Sequence, residues 1–115
     1  MFQVATWPPA MSVKVTRIEL VPEVAQDFER IFDHLAEFDV ENCHLRIQEI
    51  IQAIAVLEHN PQIGRPVKTP GDDKRELVIG RHAHGYVALY CYLAEMDTVF
   101  VLAIRGQREA GYSAT

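Results

Sequence analysis

Two stretches in the last third of the chain, 86–93 and 98–105, are apolar on both of the faces that an alternating strand presents. In the first, Val87, Leu89, Cys91 and Leu93 fall on one side and Tyr86, Ala88, Tyr90 and Tyr92 on the other. In the second, Phe100, Leu102 and Ile104 alternate with Val99, Val101 and Ala103. Strands with two apolar faces belong at the centre of a sheet, because both sides must be covered. A third strand over 75–79 precedes them, and the separators Gly80–Gly85 and Glu95-Met96-Asp97 read as turns. The chain therefore has to build its core around a sheet made largely from its own C-terminal half.

What covers that sheet is written earlier in the chain. Val24, Phe28, Ile31, Leu35 and Phe38 repeat at spacings of four and three, which predicts a helix over 22–38 with one apolar stripe. Pro22 suits the first helical position, and Glu23 places an acid where the helix dipole favours it. A second helix over 43–59 carries Ile47, Ile50, Ile51, Ile54 and Leu57 on one side, and Asn60-Pro61 stops it. The connection between the two, Asp39-Val40-Glu41-Asn42, is too short for anything but an antiparallel hairpin. Before them, Val13, Val15, Ile18 and Leu20 predict a strand over 13–20, with a phase change at Thr16-Arg17 that implies a bulge or a change of exposed face. Residues 60–73, rich in proline and glycine, form a long loop. Residues 1–12 read as an extension to a single domain over 13–115, since Trp7-Pro8-Pro9 cannot join a regular element, and Met11 is an alternative start.

Charge narrows the function classes. At 115 residues with 49 % hydrophobic and 23 % charged residues, the composition is that of an ordinary soluble domain. No apolar run approaches a membrane span, and the start lacks the pattern of a secretory signal, so a cytoplasmic protein with no membrane partner is expected. Cys43 and Cys91 lie far apart and read as reduced core residues. The net charge is −5, with residues 1–60 holding ten acids against four bases and residues 61–115 six against seven. A chain so charged has no general affinity for nucleic acid, and any polyanion must be met by the second half.

In that second half a phosphate-binding rim of Arg65 or Lys68, Arg81, Arg105 and Arg108 is geometrically open, because an arginine fork donates two parallel hydrogen bonds to phosphate. The plain alternative is a set of solvated charges at strand ends, paired with Asp72, Asp73 or Glu109. His82 and His84 share a turn, but no third ligand lies near them in sequence, so no metal or other cofactor is expected. Tyr86, Tyr90 and Tyr92 could stack on bases; a tyrosine face of this kind more often packs a helix or a protein partner.

The order strand, two helices, three strands, together with Asn-Pro-Gln-Ile-Gly-Arg-Pro at 60–66 and the closing Ala103-Ile104-Arg105-Gly106-Gln107-Arg108-Glu109-Ala110-Gly111-Tyr112, resembles the RelE/ParE family of toxins from bacterial toxin–antitoxin pairs. The resemblance covers about residues 13–112. It implies an α+β fold of order β-α-α-β-β-β: an antiparallel sheet with a helical hairpin packed on one face and the first strand beside the last. It also implies the toxin half of a type II pair, neutralised by a small antitoxin whose helix and extended tail cover the sheet or the hairpin groove. The oligomeric state stays open between a homodimer and a heterotetramer with the antitoxin.

Three functions are compatible with the resemblance: a poison of DNA gyrase, a metal-independent endonuclease that cuts mRNA on the ribosome, and a degenerate toxin that only binds its antitoxin. For the nuclease, the resemblance carries catalytic roles to Arg81, Arg108 and Tyr112. Arginines would neutralise the phosphorane and the tyrosine would take the 2′-hydroxyl proton. Arg65, Lys68 and Arg105 would hold phosphate or the target. The sequence departs from the nuclease pattern, however. Gly106 stands where many relatives carry histidine, Val87 where many carry arginine, and the paired lysines of the second strand are missing. The acidic total and these losses favour the gyrase poison.

Overall fold

The first helix begins where its sequence says it should. In the computed structural model, which describes residues 15–38, 41–69, 71–80 and 85–107, α1 spans Pro22–Phe38 and turns Val24, Asp27, Ile31 and Leu35 inward. α2 spans Cys43–Ala55 and buries Cys43, Ile50 and Ile54. Its last turn tightens into a 3-10 turn over Val56–Glu58, where Leu57 is buried, and the amides of His59 and Asn60 both end on the Val56 carbonyl. The expected helix over 43–59 is thus an α-helix for its first thirteen residues only. Pro61, next in the chain, has no amide with which to continue the ladder.

Among the described residues, five strands form one sheet: β1 (Arg17–Leu20), β2 (Arg65–Pro66), β3 (Lys74–Ile79), β4 (Tyr86–Leu93) and β5 (Thr98–Gly106), in the spatial order β1-β5-β4-β3-β2. The pairs among β2, β3, β4 and β5 are antiparallel, and the first strand does lie beside the last, running parallel to it. Both helices and β2, β3 and β4 lie between β1 and β5, which gives the long crossover that a parallel pair requires. β2 sits inside the segment expected to be wholly loop; it is two residues paired to Glu76 and Arg75 of β3. The phase change expected at Thr16-Arg17 marks the start of β1: Thr16 is buried off the strand and gives its amide to the Glu58 carbonyl at 2.9 Å. Residues 1–14 lie outside the described part of the chain.

One irregularity resets the core. Leu89 is opposite Ala103 and Tyr90 opposite Val101, so Leu102 is an extra residue on β5, a bulge. Strict alternation would put Phe100, Leu102 and Ile104 on one face. The bulge instead sends Val99 and Val101 before it, and Ile104 after it, into the same core cluster with Tyr86, Ala88 and Tyr90. That cluster is filled from above by Val24, Ile31, Leu35, Ile50, Ile54 and Leu57. The tyrosine face therefore packs beneath the helices.

Beyond Leu20 the edge of β5 has no strand neighbour among the described residues, and side chains of α1 complete it. The Val21 amide makes the last backbone bond, to the Val101 carbonyl at 3.1 Å. Asp27, 1 % exposed, then accepts the Ile104 amide at 2.9 Å, while Arg30 donates to the Ile104 carbonyl at 3.0 Å and to Asp27 at 2.8 Å. A buried acid and its arginine thus stand in for a strand, leaving neither backbone group of Ile104 unmet. At the opposite end, Asp97 occupies the β4–β5 turn with φ at 47°. Its carboxylate accepts the hydroxyls of Thr16 at 2.9 Å and Tyr92 at 2.8 Å, and its carbonyl accepts the Arg17 amide.

Candidate functional site

An α-helical stripe wide enough to cover a sheet spans somewhat more than 100°, and both helices carry more than that. Taking Ile31 as zero and about 100° per residue, the residues of α1 at about −40 to 40° are Asp27, Ile31, Val24 and Leu35, all buried. Phe28 and Phe32 follow at about 60 and 100°. On α2, counted from Ile50, Cys43 and Ile54 occupy the same inner sector, and Ile47 and Ile51 follow at about 60 and 100°. Because the helices are antiparallel, these surplus apolar residues face one another. The result is an open groove of about 600 Å³ lined by Leu20, Phe28, Phe32, Ile47, Ile51 and Ile54, with Glu29 and Asp33. Leu20 is 50 %, Phe32 40 % and Ile51 54 % exposed, so the apolar surface is open to solvent. The Phe32 and His44 rings, 6.2 Å apart between centroids and tilted by 53°, also bridge the two helices.

Exposed apolar residues gathered in a groove are the mark of a binding surface, whereas scattered ones need no explanation. The sequence stripe held half of this site: Phe28, Ile47, Ile51 and Ile54 were on it, but they read as core. Phe32 fell outside the stripe on α1, and it is the residue that shows the apolar sector to be too wide for the sheet alone.

The basic residues behave differently. Arg65 lies on β2 and pairs with Glu76 at 3.2 Å, with its side chain still 63 % exposed. Lys68 is exposed just after β2. Arg105 is half-buried on β5 and donates to the Gly106 carbonyl at 3.2 Å. The register steps from Arg65 to Glu76, Leu89 and Ala103, so Arg65 and β5 are separated by three strand spacings, roughly 14 Å. Arg65 and Arg105 thus stand apart across the sheet, each with a partner of its own. Arg81, Arg108 and Tyr112, with His82 and His84, lie outside the described residues. Lys74 pairs with Asp72 at 3.5 Å, and Arg75 spends its guanidinium on the carbonyls of Gln62 at 3.2 Å and Gly64 at 2.7 Å.

That last contact fixes the 60–66 segment against the sheet. Gly64 gives its amide to the Tyr90 hydroxyl at 2.8 Å, and Tyr90 is fully buried. A Cβ on Gly64 would lie 2.7 Å from Tyr90 Cε1 and Oη and 2.8 Å from the Glu76 carbonyl oxygen, so only glycine allows this approach. Burial pushes the Tyr90 phenol above its ordinary pKa, against the opposing pull of the Gly64 hydrogen bond and of Arg75. The Tyr92 phenol is raised mainly because it donates to the Asp97 carboxylate. Burial also raises the Cys91 thiol, with Asp73 adding to the effect, which leaves it a poor nucleophile.

Among the described residues, no helix is long and apolar enough to cross a membrane. Comparison with known proteins gives a consistent assignment. A family model described as the ParE toxin of type II toxin–antitoxin systems matches residues 18–111. No functionally curated protein matches the chain in sequence. Among solved structures, the chain resembles a chain of the chromosomal ParDE toxin–antitoxin system of P. aeruginosa at 21 % identity, with a TM-score of 0.67, covering 81 % of this chain and 97 % of that one. It also resembles a chain of the RelBE2 toxin–antitoxin complex of Mycobacterium tuberculosis at 14 % identity, with a TM-score of 0.51, covering 83 % and 94 %.

Proposed function

Because the chain belongs to the ParE toxin family of type II toxin–antitoxin systems, we propose that it is a growth-inhibiting toxin that acts in the cytoplasm on DNA gyrase and is silenced by a small antitoxin seated in the groove between α1 and α2. The antitoxin reading rests on the groove itself. Six apolar side chains line it, and burying them against a partner removes from water a surface that a free domain has no reason to keep.

The choice of gyrase over mRNA rests on where the described cations are. An enzyme that cuts RNA without a metal needs several positive groups converging on one phosphate. Here Arg65 pairs with Glu76, Lys74 with Asp72, and Arg75 holds loop carbonyls, while Arg105 stands three strands away from Arg65. The whole chain carries a charge of −5. A gyrase poison needs a docking surface and no proton transfer, so these features cost it nothing.

Expression in a bacterial host with and without an antitoxin tests the proposal. Growth should stop, cleaved DNA should accumulate, and mRNA should stay intact. Tyr112→Phe should be almost silent, and co-expressed antitoxin should restore growth. The nuclease reading predicts the reverse pattern: cuts positioned by codon on primer extension, lost about a hundredfold with Arg81→Ala or Arg108→Ala. Its support is the closing signature from Ala103 to Tyr112.

A further inference from the structure

The groove has two unlike rims. Continuing round α1 past Phe32, Glu29 and Asp33 come at about 160 and 200° from Ile31, on the lip that faces solvent. Both are exposed, both line the groove, and they stand one turn apart on the same helix. Round α2 past Ile51, the residues at the same angles are Gln48 and Gln52, also exposed and uncharged. One lip is therefore anionic and the other neutral. Two carboxylates at a spacing of four residues repel each other, and a cation placed between them relieves both.

We infer that the antitoxin segment filling this groove is an amphipathic helix with an apolar stripe and a line of lysine or arginine along one edge only, the edge that lies over α1. The inference rests on the reading that the groove is the antitoxin's seat. The lining runs over Phe28–Asp33 and Ile47–Ile54, about 10 Å at 1.5 Å per residue, so two turns of the partner make the contact. A two-turn stretch presents two basic side chains at one edge, which matches Glu29 and Asp33 in number. The one-sided charge also sets direction. A symmetric apolar helix could lie either way along the groove, but turning it end for end moves its basic edge from the acidic lip to the glutamine lip. The acid pair thus gives the partner a polarity that apolar packing does not.

Three synthetic helical peptides of about four turns, sharing one leucine stripe, separate the outcomes. Their edges carry glutamine on both sides, lysine on one side, or lysine on both. Affinity for the full chain is read by fluorescence anisotropy at low and high salt. The one-edged lysine peptide should bind about five- to tenfold tighter than the glutamine peptide, and the advantage should vanish at high salt. Lysine on the second edge should add nothing. In the Glu29→Gln/Asp33→Asn protein the lysine advantage should disappear while the glutamine peptide binds as before. Equal affinities, a salt-independent advantage, a second gain from the second edge, or an advantage that survives the double substitution would each overturn the charge inference and leave the groove reading standing. Failure of all three peptides to bind, or binding that Ile51→Glu leaves unchanged, would overturn the groove reading and the inference with it.

Discussion

Replacing Gly64 by alanine tests whether the 60–66 segment is held by close approach or merely covers the sheet. The added methyl has nowhere to go: its carbon would lie 2.7 Å from Tyr90 Cε1 and Oη and 2.8 Å from the Glu76 carbonyl oxygen. The Glu76 oxygen is backbone within a paired strand, and the Tyr90 ring is fully buried, so neither can give cheaply. Overpacking of this kind costs about 1–3 kcal/mol. If the loop retreats to make room, the bond from the Gly64 amide to the Tyr90 hydroxyl is lost as well, leaving a buried phenol unmet at about 1–3 kcal/mol. The sum for Gly64→Ala is about 2–6 kcal/mol, and Tyr90→Phe, which removes only the hydrogen bond, should cost about 1–3 kcal/mol. The two share one bond, so the double variant should be more stable than additivity predicts by about 1 kcal/mol. At this chain length each kcal/mol lowers Tm by about 4 °C. Urea unfolding followed by circular dichroism, with all four proteins at equal m-value, gives the cycle. A loss below about 0.5 kcal/mol for Gly64→Ala, or strict additivity in the cycle, would refute the close-approach argument.

Asp27→Ala should destabilise the domain by about 2–4 kcal/mol, because it leaves the buried Ile104 amide unmet and removes the ion pair to Arg30; a thermal melt within error of wild type would show that solvent replaces the carboxylate. Tyr90 and Tyr92 give an alkaline limit. Their folded pKa values lie above the ordinary 10.0, so above pH 10.0 the unfolded chain sheds protons that the folded one keeps. The stability they contribute is fully present below pH 10.0 and is lost as pH rises through the folded values. Urea midpoints should therefore decline above that pH and decline less in Tyr90→Phe, and a flat profile would contradict the assignment.

How far the sequence could be read depended on whether a feature was periodic or relational. Strand β4 and helix α1 came out at their observed bounds, because eight alternating residues and a four-three stripe are local patterns. The placement of β1 beside β5 came with the family resemblance, and its parallel direction was not in the pattern, since two residues in register carry no local mark of orientation. β2 was read as loop because a two-residue strand has no period, and Pro66 argues against one. The bulge at Leu102 was invisible for a different reason: neither glycine nor proline announces it, and both phases of β5 are apolar. At the candidate site, the apolar residues were visible but not their division between core and groove. That division depends on how much of each helix the sheet can reach, a property of two packed layers. For the arginines the sequence offered chemistry without position: register sets Arg65 and Arg105 three strand spacings apart, and Arg81 and Arg108 lie outside the described residues.

The tie between Asp97 and the start of the domain bears on synthesis. The Thr16 hydroxyl meets a carboxylate 81 positions later in the chain, and the Asp27 carboxylate meets an amide 77 positions later. Among the described residues, the one strand beside β1 is β5. While the ribosome is still translating, the first strand and the first helix thus have no β5 edge to join until residues 98–106 have emerged. A product released between residues 59 and 97 carries the complete helical hairpin but lacks the edge on which it is hung. Early termination therefore yields a fragment with bare apolar helices, a substrate for proteases, and no working copy of the domain.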